Sequence, residues 1–404
     1  MASHPANDVD AQGWMPIFDD VDRNNAAPAG HGESTFTFLN RIPGEYWEQV
    51  RLLLQAWASR IDHPGEYESI RSRFRKADNY VFNSTFLELY LHECLLRAGY
   101  AVTIHPDVPG TSRHPDFYAE RDGEGFYLEA ISPAASDEVK GRAARTAQLY
   151  DSVNSIRSNN FHLWVTELTT GARSVRVRQL RNMLEVWLDS LDPDDFTEVS
   201  QWPVKDWQCD DWHASFKAMP KATHHRTAHV EAIGVYPATV QRVDDAPTIL
   251  GALSKKHKRY GDLAKPYIVA IGTYILGTDR FDESNALYGN LEYELMFAPD
   301  GELARVQPVR DRNGFFGIPD SWKNCHVSAV LLANQLMPYH FHKSSVATLE
   351  LWRHPGAHYQ LAHELGMPWA EITFNNGLGV KPSPIDPLEF FGLPSDWLAG
   401  NPWA

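Results

Sequence analysis

An α/β fold with a mixed sheet flanked by helices is what three features of the sequence predict. Apolar residues recur at helical spacing along Leu87, Leu91, Cys94, Leu95 and Ala98. Short alternating stretches follow at 101–105, 114–120 and 125–131, the period of strands. Further on, 267–275 and 326–333 read as apolar strands. The composition agrees: 404 residues, 43% hydrophobic and 22% charged, belong to a folded chain.

Charge and cysteine content narrow the function classes. Lys plus Arg number 37 against 52 Asp plus Glu, a net charge of -15. That excludes a polybasic chain wrapping nucleic acid by bulk charge but leaves room for a local basic groove. Three cysteines are too few and too scattered for a disulfide framework or a CxxC metal site, so a reducing, cytoplasmic setting is expected. The first residues have neither a basic start nor an apolar core. The apolar runs Tyr267–Leu276 and Val327–Met337 fall short of the roughly 20 residues of a membrane helix. No membrane association is expected.

Along the chain, residues 1–34 are rich in Asn, Asp, Ala, Gly and Pro and read as a disordered arm. Helices are expected from Ile42, with Trp47, Val50, Leu54 and Trp57 in phase, and over Glu66–Lys76, completing an N-terminal helical segment at 35–78. The helix carrying Leu87 stops at Gly99. Three strands follow, then a helix capped by Ser136, then a strand at 161–167. Beyond residue 171 the pattern stays α/β, with helices at 175–191 and 247–261 and strands at 229–236, 267–275, 291–298, 326–333 and 346–352. The Trp- and Asp-rich stretch 192–221 reads as irregular, and 353–404 as a tail over the surface.

The second and third strands carry the chemistry. Asp122-Gly123 is a two-residue hairpin turn. It pairs Ala119 with Phe126 and Phe117 with Leu128 on an apolar face, and Asp116 with Glu129 on the other. Facing residues on a ladder have Cβ atoms about 4.5–5.5 Å apart, and like charges there cost stability. A divalent cation between the two carboxylates relieves that cost, and carboxylate oxygens are the preferred ligands of Mg²⁺ or Mn²⁺. The bland alternative is a solvated pair at the open end of the hairpin. Glu88 sits at the edge of its helix's apolar stripe, where it either reaches over the sheet or closes a capping box with Thr85.

A helix glutamate eleven residues before a glycine (Glu88, Gly99), a strand, Pro115-Asp116, and a glutamate in the next strand (Glu129) together resemble the PD-(D/E)XK nuclease superfamily. The likeness covers about residues 80–167. The stretches KKHKRYGDLAKPYIVAIG and HVSAVLLANQL are similar to bacterial proteins carrying that core. The resemblance implies a restriction-endonuclease-like core at 79–170 (helix, three strands, helix, strand), with 171–404 a C-terminal α/β extension packed on it. It implies metal-dependent phosphodiester hydrolysis, DNA ahead of RNA, with Asp116 and Glu129 holding Mg²⁺ (or Mn²⁺) and Glu88 as accessory ligand. The motif's lysine belongs two residues after the glutamate, where this chain has Ile131. His114, across the ladder from Ile131, and Lys140, on the following helix, are the expected substitutes. Without one, the chain is a degenerate nuclease-fold module that binds nucleic acid or a protein partner. For phosphate contacts the candidates are Arg142 and Arg145, Arg176 and Arg178, and the cluster Lys255, Lys256 and Lys258.

Overall fold

A computed structural model of the chain describes residues 13–132, 137–226, 232–235, 246–273, 280–299, 302–319, 321–362, 364–374 and 377–402. The expected cap Ser136 lies outside these residues, as does half of the expected strand 229–236. The chain divides into two compact units. One comprises Met1–Ala27, Ser34–Pro133 and Val243–Ala404, the other Pro28–Glu33 and Ala134–Arg242.

The first unit opens with helices α1 (Thr35–Arg41), α2 (Glu45–Ala58), α3 (Pro64–Phe74) and α4 (Asn79–Arg97). The helix expected from Ile42 is α2, which starts only after Gly44, whose φ is a left-handed 101°, and α1 before it is an additional helix. After α4 come β1 (Ala101–Ile104), β2 (Phe117–Arg121) and β3 (Glu124–Ile131). The next elements in chain order, α5 (Asp137–Asn154), β4 (Phe161–Thr169), α6 (Val177–Asp189), β5 (Val204–Cys209), β6 (Trp212–Pro220) and β7 (Ile233–Val235), belong to the second unit. The first unit resumes with α7 (Ala246–Lys256), β8 (Tyr267–Thr273), α8 (Phe281–Tyr288), β9 (Leu291–Phe297) and β10 (Leu303–Arg310). It ends with β11 (Gly317–Ile318), β12 (Ser321–Trp322), β13 (Ala329–Asn334), β14 (Thr348–Arg353), β15 (Ala370–Phe374), β16 (Leu378–Lys381) and α9 (Pro387–Phe391).

Its large mixed sheet runs β1-β2-β3-β8-β13-β14-β15-β16. β1, β2 and β3 form an antiparallel meander, and β8 lies parallel to both β3 and β13. Alternate residues of the central strands serve two cores. Leu128, Ile268, Ala270 and Leu331 join α2 and α4 on one face. Ile131, Val269, Ile271 and Val330 join Ile249 and Leu253 of α7 and Leu287 of α8 on the other. β8 and β13 are buried at every position, and coverage on both faces is why they are apolar at most of them.

Three expectations fail here. Within the expected arm, Ile17 and Phe18 are buried, and Ile17 is tied by its N–H to Gln55 at 2.9 Å and by its carbonyl to Arg75 at 2.8 Å. A short apolar pair anchors a stretch whose composition is otherwise that of a loop. The C-terminal tail is part of the fold: β15 and β16 extend the sheet, and Trp369, Ile372, Phe391 and Trp397 are buried. The strand at 161–167 does not continue the sheet of the 79–170 core. It is β4, which pairs with β6 and β7 elsewhere, and the place beside β3 belongs to β8.

The second unit is a sheet in the order β5-β6-β4-β7. One face buries Leu163, Val165, Trp207, Ala214 and Phe216 against Leu149 and Val153 of α5 and Leu180, Leu184 and Leu188 of α6. The stretch expected to be irregular therefore holds a hairpin, whose alternating Trp212, Ala214, Phe216 and Ala218 supply the period of two. Its Pro28–Glu33 segment is held by the N–H groups of His31 and Gly32, which donate to Asp151 at 2.7 and 3.0 Å. Among the described residues no helix is long and apolar enough to cross a membrane.

Candidate active site

The hairpin register is the expected one. Phe117 faces Leu128, Ala119 faces Phe126, and the turn residues Asp122 and Gly123 have φ of 55° and 82°, the left-handed pair a tight two-residue turn needs. At the open end, the Ala130 N–H donates to Asp116 Oδ2 at 2.6 Å. Glu129 is buried with its carboxylate beside α7 and the turn that follows it. Tyr260 Oη donates to Glu129 Oε2 at 2.6 Å and also lies 3.0 Å from the His114 carbonyl. Lys256 Nζ stands 3.5 Å and Arg259 Nη1 4.0 Å from Glu129 Oε1.

Glu88 faces the same end of the sheet from α4, and a pocket is lined by Glu88, Asp116, Arg73, His92, His105 and Glu66. The capping-box alternative is excluded. α4 begins at Asn79 with Asp78 as its cap, and Thr85 sits mid-helix, donating to the Val81 carbonyl at 2.7 Å. Arg73 grips Glu88 through both oxygens, at 2.7 and 2.6 Å. The Arg73 guanidinium loses stability of its charged form through burial. The hydrogen bond and charge of Glu88 more than offset that, and its pKa rises. His92, one turn on, is buried and kept neutral, its pKa lowered to about 4 by burial and then by the Arg60 charge.

Asp116 lies between the two groups. Its pKa stands well above the usual carboxylate range, first because it is desolvated, then because the charges of Glu129 and Glu88 oppose its own. The Ala130 N–H and Lys256 offset this only in part. Tyr260 is pushed up for related reasons, burial first and then its bond to Glu129, so its hydroxyl stays a proton donor to that carboxylate.

The expected substitutes for the lysine fare differently. His114 turns its exposed imidazole to the Pro106 carbonyl at 3.2 Å and to Asp107 at 3.4 Å, and what it offers the network is its backbone carbonyl. Ile131 is core against α7, which explains an apolar residue there. Lys140, Arg142, Arg145, Arg176 and Arg178 belong to the second unit. In it Arg142 lies 3.6 Å from Glu138, Arg145 donates to the Gly171 carbonyl, and Arg176 lies 3.3 Å from Asp210. Of the 255–258 cluster, Lys255 and Lys258 are exposed, while Lys256 turns inward to Glu129. Sequence reading placed Lys256 among phosphate contacts and did not connect it, Arg259, Tyr260 or Arg73 with the carboxylates. The signal available was that α7 and β8 form the next helix–strand pair after β3 whose strand is almost wholly apolar.

Among the described residues no three His, Cys, Asp or Glu side chains stand together closely enough to cage a metal ion. The donor set is nevertheless one of hard oxygens, and Asp116 with Glu129 supplies the one or two carboxylates with which Mg²⁺ is commonly held beside water and phosphate. The residues fit that ion, and the mutual repulsion borne by Asp116 is the feature a cation would relieve. Compared with known proteins, the chain matches no family model, no curated protein and no solved structure.

Proposed function

We propose that the first unit is a PD-(D/E)XK-type phosphodiesterase whose second unit is inserted in sequence between the third strand and the following helix. On this reading the core is α4, β1, β2, β3, α7 and β8, and the chain is a metal-dependent nuclease with DNA the expected substrate. The observation that carries it is Lys256 Nζ at 3.5 Å from Glu129 Oε1. α7 brings to the glutamate the ammonium that Ile131 cannot supply.

The chemistry follows from the roles these groups can take. Asp116 and Glu129 hold the cation, and when bound it polarises the phosphoryl oxygen and lowers the pKa of the attacking water. Lys256 directs a water hydrogen bond and stabilises charge gathering on the phosphoryl oxygens. Tyr260 and Arg259 fix the Glu129 carboxylate. The Ala130 N–H holds the Asp116 carboxylate through Oδ2. Arg73 pairs with both Glu88 oxygens at the edge of the site.

The test is cleavage of single- and double-stranded DNA and of RNA by the full chain with Mg²⁺, Mn²⁺ or EDTA, alongside thermal unfolding. Metal at a hundred times its dissociation constant stabilises the fold by about 2.7 kcal/mol, an effect expected in wild type and lost in Asp116→Asn. Cleavage is expected with metal and not with EDTA. Metal binding at these carboxylates without cleavage of any substrate favours the degenerate binding module, for which Arg73's hold on both Glu88 oxygens speaks. Unchanged cleavage in Asp116→Ala rules out the site.

A further inference from the structure

β9 and β10 form a two-stranded ribbon that pairs with no other described strand. Its register sets Phe297 against Leu303, Leu295 against Val306 and Tyr293 against Pro308, with a bulge between Leu303 and Arg305. Facing residues share a side of the ribbon, so these six residues lie on one face, which Leu291 and Arg310 continue at the base. Tyr293 is 65%, Leu295 52%, Phe297 61%, Leu303 54% and Val306 49% exposed. The other face carries Glu292, Glu294, Arg305 and Gln307, and Gln307 donates to Glu294 at 2.7 Å. The base is fixed by Asp311, which accepts from the Asn290 backbone and side chain, each at 3.0 Å, and from the Asn313 N–H at 2.9 Å.

An isolated two-stranded hairpin is marginal in water, and this one turns its apolar side to solvent. With two aromatic rings and three branched aliphatic side chains half exposed or more, that side presents on the order of 600 Å². That is the upper end of what a monomer leaves uncovered. Two such faces in contact bury about 1,200 Å², the lower bound of a stable specific interface. Apart from Arg310 at the base, whose guanidinium donates to the Ser284 and Gly289 carbonyls, the described face carries no charged group and its exposed polar atom is the Tyr293 hydroxyl, so its outer part offers little to select a polar partner. A twofold contact needs only self-complementarity, and turning one ribbon against another sets Tyr293 and Pro308 near the tip residues Phe297 and Leu303 of the second copy. Glu292 and Glu294 and the net charge of -15 speak against a nucleic-acid groove as occupant.

We propose that the β9–β10 ribbon is a dimerisation arm whose apolar face packs on the same face of a second copy of this chain. Sedimentation and light scattering of the full chain, from low to high micromolar concentration, are expected to give a dimer. Leu295→Glu with Phe297→Glu is expected to halve the mass and leave the thermal midpoint of each chain's core in place. Val186→Glu, at an exposed position of α6, keeps the dimer. A second measurement, which adds no charge to the ribbon, uses oxidative cross-linking. Leu295→Cys, near the twofold axis, forms a disulfide-linked dimer above the wild-type background, and Met296→Cys, on the polar face, does not. A wild-type monomer at every concentration overturns the proposal. So does a dimer indifferent to the double substitution, or equal cross-linking from the two cysteines.

Discussion

The hairpin β2–β3 lies between β1 and β8 in the large sheet, whereas β9–β10 stands outside it. In the first, Phe117, Ala119, Phe126 and Leu128 are buried against α4 and its neighbours. In the second, the corresponding apolar face is half exposed or more. The local patterning is the same: a polar side, an apolar side, antiparallel pairing. The difference lies in what covers each. Burial of its apolar face, with β1 and β8 paired to its two edges, gives β2–β3 the rigidity to hold Asp116 and Glu129 at its open end against their repulsion. The free ribbon has no such support and carries surface for another molecule.

That contrast is open to measurement, and the largest effects belong to the buried hairpin. Glu129→Ala and Lys256→Ala are each expected to lower metal-dependent cleavage by about 10²–10⁴-fold, the range of a positioned proton-transfer or electrostatic group, read as turnover under saturating metal. Lys255→Ala, one residue away and exposed, is expected to leave turnover in place and weaken binding with a smaller salt slope. Leu128→Ala, at a fully buried position, is expected to cost about 2–5 kcal/mol in denaturant unfolding. Leu295→Ala, half exposed, is expected to stay within about 0.5 kcal/mol in a monomeric background. Comparable losses at the two leucines would remove the distinction.

A smaller effect concerns Asp116 in metal-free protein. Its folded pKa lies above the unfolded value of 3.8, so between those two values the native state binds the extra proton. Its contribution is fully present below the unfolded pKa and is lost as pH rises through the folded one. Asp116→Asn mimics the protonated form. It is expected to raise the melting temperature at neutral pH, by about 2–4 °C for each kcal/mol relieved, and to give no gain near pH 3. Calorimetry in EDTA across that range checks both sign and window. Tyr260→Phe removes one hydrogen bond to Glu129 and is expected to cost about 1–2 kcal/mol, seen as a lower metal affinity with the fold intact.

The sequence by itself determined what is local. The Asp122-Gly123 turn and the alternation around it fixed the register, and with it the meeting of Asp116 and Glu129, because turn geometry and a period of two act over a few residues. The helix ending at Gly99, the apolar strand at 267–273 and an α/β class were legible for the same reason. Ile17 and Phe18 show the limit of composition, since two apolar residues in a polar stretch found a core that composition does not reveal. The strand at 161–167 looked like the neighbour of β3 because it is the next one after a helix. Only tertiary structure decided otherwise, passing over the inserted unit and setting β8 in that place. The same choice brought Lys256 and Tyr260 to Glu129, the tyrosine from 131 residues away along the chain. No periodicity carries information over that span. What selects the pairing is which strand can be buried on both faces beside β3, and β8 is buried at every position.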